Sequence, residues 1–137
     1  MPFVHTITVA EADIDQLGHA SNLVYLRWVL EAAVAHSASL GLDGPAYLAR
    51  GQSFVVRRHE IDYLRPAQLG ERLAVETRVA TMTAATSLRR TRILREADGA
   101  ELCRAATDWA YLDLARGRAV RIPEDVRSRF PLEPDPA

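Results

Sequence analysis

Between Asn22 and Leu40 runs the single long stretch of helical periodicity in the chain, and it is apolar around most of its circumference. Leu23, Val24, Tyr25, Leu26, Trp28, Val29, Leu30, Ala32, Ala33, Val34 and Ala35 leave a polar stripe of little more than Arg27 and Glu31, one turn apart. A helix laid on one side of a sheet shows water a broad polar face, whereas one this apolar has to be surrounded. Ser21 or Asn22 is placed to cap its N-terminus, and Gly41 stands where a left-handed residue ends a helix. Whatever this chain becomes, the rest of it must wrap residues 22–40.

Strands are what remains to do the wrapping. Residues 3–10 (FVHTITVA) read as a first strand, rich in β-branched and aromatic residues. After a short helix around 45–50 come 53–64, 72–83, 87–96 and 101–114. The segment 72–83 alternates best: Leu73, Val75, Thr77, Val79 and Thr81 on one face, Arg72, Glu76 and Arg78 on the other. Asp98-Gly99 is a hairpin turn, and a ribbon through Arg116-Gly117-Arg118 extends the last strand towards Ile122. Pro123 opens a short final helix to about Phe130, and residues 131–137 (PLEPDPA) read as a frayed tail. Short turns make antiparallel neighbours. The expected class is α+β: one domain over 1–137, a curved antiparallel sheet of about five strands around one long central helix. One helix against one sheet leaves an open strand edge and apolar surface, so a homo-oligomer, dimer or tetramer, is expected.

Composition narrows the function. The net charge of −1, from 17 basic and 18 acidic residues, provides no global field for nucleic acid or an anionic membrane. All 17 basic residues are arginine, which excludes Schiff-base and P-loop lysine chemistry and leaves guanidinium forks. The one cysteine, Cys103, cannot build a disulfide framework or a cysteine metal site within a chain, and reads as a small buried strand residue. Met1–Thr6 has neither the charge nor the apolar run of a secretory signal, and Arg27 and Glu31 interrupt the longest apolar stretch, so a cytoplasmic location is expected.

The chemistry concentrates in Asp13-Ile14-Asp15-Gln16-Leu17-Gly18-His19-Ala20-Ser21-Asn22-Leu23-Val24-Tyr25. Carboxylates, a glycine, an imidazole and an amide stand just ahead of a long helix. The helix start offers unpaired N–H groups and partial positive charge, which suit a carbonyl oxygen becoming an oxyanion. A carboxylate beside it can attack the carbonyl carbon or activate water. Spacing alone favours the plainer reading, in which acidic residues ahead of a helix cap it and suit its dipole.

The segment resembles the hotdog-fold thioesterases of the 4-hydroxybenzoyl-CoA thioesterase type and their long-chain acyl-CoA relatives. These carry D-x-D-x-x-G between the first strand and the central helix, here Asp13, Asp15 and Gly18, and many continue G-H-x-x-N-x-x-Y, here His19, Asn22 and Tyr25. The likeness extends to Ile61–Gly70 and to Thr107–Val126, covering nearly the whole chain. It implies a hotdog fold, hydrolysis of an acyl-CoA thioester with no cofactor or metal, and active sites at a dimer interface. The family's catalytic carboxylate maps to Asp15, as nucleophile or general base, and its oxyanion donor to a backbone N–H within 19–23. His19, Asn22 and Tyr25 are the expected substrate-binding residues. The 4-hydroxybenzoyl branch has a longer loop ahead of the helix asparagine, so this chain stands nearer the other branch. Acyl carrier protein as acyl donor, or a non-catalytic acyl-thioester-binding module, are the alternatives.

Other residues fall outside this centre. Asp13 is expected to hold the loop through backbone N–H groups. Asp13, Asp15 and His19 as a metal site lack a second histidine nearby. His36, opposite Arg27 on the helix, reads as a core histidine, while His59 belongs to a strand network or to the pocket. Gly51-Gln52-Ser53-Phe54 lacks the last glycine of a nucleophile elbow. Arg89, Arg90, Arg92 and Arg95 form either a solvated strand face or a phosphate contact.

Overall fold

The computed structural model describes residues 1–136. β1 (Phe3–Thr8) leads through a 3-10 turn at Glu11–Asp13 into α1 (Asn22–Ser39) and then α2 (Gly44–Arg50). The remainder is β2 (Gln52–Tyr63), β3 (Arg72–Met82), β4 (Thr86–Arg95), β5 (Glu101–Asp113), the two-residue β6 (Arg118–Ala119) and α3 (Glu124–Arg127). The strands form one antiparallel sheet in the order β1-β3-β4-β5-β2, with β6 beside the end of β5. This curled sheet around a long helix is the α+β hotdog architecture.

Local chemistry explains where the elements stop. Gly41 and Gly51 take φ of +84° and +66° just beyond α1 and α2, where a side chain would be strained. Asp43 caps α2 by accepting the Ala46 N–H at 2.9 Å, with Pro45 in the first turn. Ser21 holds the N-cap position of α1, but its hydroxyl makes no capping bond.

α1 packs on β1 and β3 through Val24, Tyr25, Trp28, Val29 and Ala32, which meet Val9, Leu73, Val75, Ile93, Leu102 and Cys103. A second cluster of Leu42, Val79, Tyr111, Ile122, Val126 and Phe130 closes the other end. Each large apolar side chain buried in these clusters contributes about 1.5–3 kcal/mol of transfer free energy.

The structure corrects several expectations. Within one chain α1 is covered on one side only: Leu23 and Val34 are 79% and 59% exposed. A register shift between Val79 and Thr81 turns Ala80 into the core and Thr81 out to solvent, so the alternation of β3 fails at its end. α3 ends at Arg127, with single turn bonds continuing to Phe130. Residues 131–135, read as frayed, dock instead: Leu132 bridges Val79, Glu133 N–H donates to Val79 O at 2.8 Å, and Asp135 pairs with Arg78 and Arg90. The tail thus takes the place beside β3 where β1 runs out. Among the described residues no helix is long and apolar enough to cross a membrane.

Candidate active site

The loop from Val9 to Ser21 is built around Asp13. Its carboxylate, 5% exposed, accepts the Ala10 N–H at 2.9 Å and Arg27 Nη2 at 2.7 Å, clamping the 3-10 turn to α1. Burial alone pushes the Asp13 pKa up, but the Ala10 amide and the Arg27 guanidinium outweigh it and leave the group below its usual value. Asp13 is therefore a structural anchor of this loop, and no cluster of three or more potential metal-ligating His, Cys, Asp or Glu residues occurs among the described residues.

Asp15 heads a tight loop. Its N–H donates to His19 O at 3.0 Å, its carbonyl accepts the Gly18 N–H at 3.1 Å, and Gly18 sits at φ +84°. Ile14 and Ala20 pair across the base of this loop. The half-buried carboxylate accepts the Leu17 N–H on Oδ1 at 2.8 Å, while Oδ2 has no protein donor among the described residues. The side chain is thus oriented by one oxygen and open for chemistry at the other.

Behind this loop begins α1. The Ala20 N–H donates to Ala67 O at 2.9 Å and the Ser21 N–H to Asp13 O at 3.0 Å, which staple the helix start in place. The N–H groups of His19, Asn22 and Leu23 meet no acceptor among the described residues. Of the amides expected to receive an oxyanion, Ala20 and Ser21 are therefore already engaged.

His19, Asn22 and Tyr25 share one groove of about 210 Å³ with Tyr63, Leu64, Arg65 and Pro66. Asp15 is not part of its lining; it stands in the loop that ends at His19. The His19 ring, half-buried, lies with Nδ1 3.3 Å from Ala20 O, and the Asn22 side chain is exposed. Tyr25 is 2% exposed, and its hydroxyl accepts the Ala67 N–H at 2.8 Å while donating to Arg65 O at 3.4 Å. Burial pushes the Tyr25 hydroxyl pKa up, against the Ala67 N–H that it accepts. Tyr63 packs edge-on against Tyr25 with ring centroids 5.4 Å apart, and its hydroxyl reaches Asn22 O at 3.4 Å. Sequence reasoning did not single out Tyr63 or Arg65 as site residues, although both lie in the Ile61–Gly70 segment that carried part of the resemblance.

The remaining candidates separate. His36 is buried and accepts from Arg89 Nη1 at 2.9 Å. His59 is half-buried beside Thr107 at 3.0 Å, and burial lowers its pKa. Burial pushes the Cys103 thiol up to about 12, which makes it inert. The arginines of β4 do not act as one patch. Arg89 points into the core, while Arg90 pairs with Asp135, Arg92 with Glu76, and Arg95 with Asp98 and Glu71. A phosphate meeting that face would have to compete with these carboxylates.

Known proteins resemble this chain over nearly its whole length. Residues 9–130 match the model of the thioesterase-like superfamily. The chain is 30% identical over 129 residues to the acyl-CoA thioesterase YbgC of Haemophilus influenzae, spanning 93% of both chains. Among solved structures it is similar to the hypothetical protein TT1821 of Thermus thermophilus, with a TM-score of 0.85, 32% identity, and 93% and 95% of the two chains covered. It shares its fold with Slr0204, a 1,4-dihydroxy-2-naphthoyl-CoA thioesterase from Synechocystis, at a TM-score of 0.87, 22% identity, and 94% and 95% coverage. On the match of its sequence from the first loop to the last helix, this chain belongs to the thioesterase-like superfamily.

Proposed function

We propose that this chain hydrolyses acyl-CoA thioesters to the free acid and coenzyme A, with Asp15 as the reacting carboxylate. The observation that carries the reading is Asp15 itself: one oxygen held by the Leu17 N–H, the other free, on a loop that runs directly into the N-terminus of α1. A non-catalytic acyl-binding module has no need of a carboxylate so oriented.

The chemistry follows from these groups. With the thioester carbonyl oxygen on the free amides of Asn22 or Leu23, or on that of His19, its developing charge meets N–H donors at the positive end of a helix. Asp15 Oδ2 then removes a proton from a water that adds to the carbonyl carbon. The tetrahedral intermediate collapses, the C–S bond breaks, and the departing thiolate takes up the proton. Alternatively Oδ2 adds to the carbonyl directly, expels the thiolate, and leaves an anhydride that water opens. In either route the chain supplies a carboxylate, amides and a groove, and the reaction as written needs no cofactor. His19, Asn22 and Tyr25, with Tyr63 opposite, bind the acyl thioester as walls of that groove.

A homodimer or tetramer is part of the proposal. β2 is an open sheet edge of 12 residues, and Leu23, Val34 and Val55 leave apolar surface uncovered.

The test is a panel of CoA esters, aromatic and aliphatic, with the released thiol titrated by a chromogenic reagent. Hydrolysis of at least one ester is expected. Turnover of the acyl carrier protein thioester but not its CoA counterpart would reassign the carrier, and no hydrolysis of any ester by folded protein would leave the binding module.

A further inference from the structure

A second cavity, of about 190 Å³, lies towards the other end of α1, lined among others by Ala33, Tyr47, Phe54, Arg89, Trp109 and Phe130. Ala33 is about 16 Å along the helix from Asn22 at 1.5 Å per residue, so this space is separate from the groove beside Asp15. Its lining includes no aspartate or glutamate, and Arg89 is its only cation.

Arg89 is 5% exposed. Its Nη1 donates to His36 Nδ1 and to Thr77 Oγ1, both at 2.9 Å, but neither acceptor carries negative charge. Its Nε and Nη2 have no acceptor among the described residues. Burial pulls the Arg89 pKa down to about 10, which still leaves the guanidinium charged at neutral pH. Trp109 Nε1, in the same lining, is buried without a partner. A buried cation with no negatively charged partner and a buried indole N–H with no acceptor are costly unless something with negative charge arrives.

We propose that this cavity binds a compact apolar carboxylate, its charge on the free donors of Arg89 and its body against Ala33, Phe54 and Phe130. The volume sets the size of the body. A cavity of 150 Å³ accommodates benzene, so about six carbon atoms fit here. The proposal rests on the thioesterase reading only for where such an acid comes from. It is a free acid, such as the product.

The experiment titrates the full chain with hexanoate and with hexanamide, by calorimetry and by the indole N–H signals of Trp28 and Trp109. Hexanoate is expected to bind about tenfold more tightly or better, as a charge-assisted bond to a buried donor provides, and to shift the Trp109 signal and not that of Trp28. Arg89→Met should abolish the preference. Because that variant disturbs His36, Ala33→Leu, which fills the cavity and leaves Arg89 intact, should abolish binding independently. Equal or absent binding of hexanoate and hexanamide overturns the proposal. Failure to hydrolyse any ester would sink the thioesterase reading and leave the hexanoate titration standing.

Discussion

Arg27 Nη2 donates to Asp13 Oδ1 at 2.7 Å, and this ion pair separates the fates of Asp13 and Asp15. The first carboxylate is buried, saturated with donors and tied to the helix. The second keeps an unbonded oxygen at the mouth of a tight loop. A carboxylate already committed to a guanidinium is a poor nucleophile and a poor base, which is why the proposal assigns the chemistry to Asp15.

The contrast is measurable. Asp15→Asn should lower the turnover rate by about two orders of magnitude or more with little change in melting temperature, because positioned acid–base groups contribute on that scale. Asp13→Asn should do the reverse, destabilising the fold by about 2 kcal/mol through the lost charge-assisted bonds while folded protein retains turnover. Thermal melts and kinetics on both variants decide it; full activity in Asp15→Asn removes that residue from the mechanism.

Acid should unfold this protein through His36. Burial first, and the Arg89 charge second, pull its pKa from 6.5 to about 4, with Glu133 opposing weakly. The unfolded chain therefore binds more protons between those values, and stability falls as the pH drops from 6.5 towards 4. The loss approaches about 3 kcal/mol at about 1.4 kcal/mol per unit. His36→Gln, which still offers Arg89 an acceptor, should flatten this dependence in denaturant titrations at a series of pH values. An unaltered slope would mean that other groups carry it.

Tyr25→Phe keeps the ring stack on Trp28 and Tyr63 but strands the N–H of fully buried Ala67. A cost of about 1–3 kcal/mol is expected for that orphaned donor. Because the same hydroxyl holds the Arg65–Ala67 backbone, which walls the groove, KM should rise more than kcat falls. A stability loss with KM untouched would assign Tyr25 to the core alone.

Association should be visible in sedimentation at micromolar concentration as a dimer or larger. Val55, 39% exposed on the open strand β2, offers a probe: Val55→Glu places a charge on each copy of that edge and should weaken assembly by about tenfold or more. A stable monomer of the unaltered chain would remove the oligomer from the proposal.

What the sequence determined by itself was local. α1 begins and ends where Ser21 and Gly41 predict, the strands fall close to their expected spans, and the turn at Asp98-Gly99 forms with Gly99 at φ +73°. These depend on residues a few positions apart, whose preferences act whatever surrounds them. The motif from Asp13 to Tyr25 was equally legible as a pattern, and His19, Asn22 and Tyr25 do meet in one groove. Tertiary structure alone decided the rest, because it turned on partners far along the chain. Arg27 selects Asp13 across 14 positions, and Arg89, one of four arginines alike in composition, is the one on the inward face of β4. The polar tail is held because Asp135 reaches Arg78 and Arg90 across the folded sheet. Charge and periodicity state what a side chain can do; only the approach of distant backbone determines what it finds to do it with.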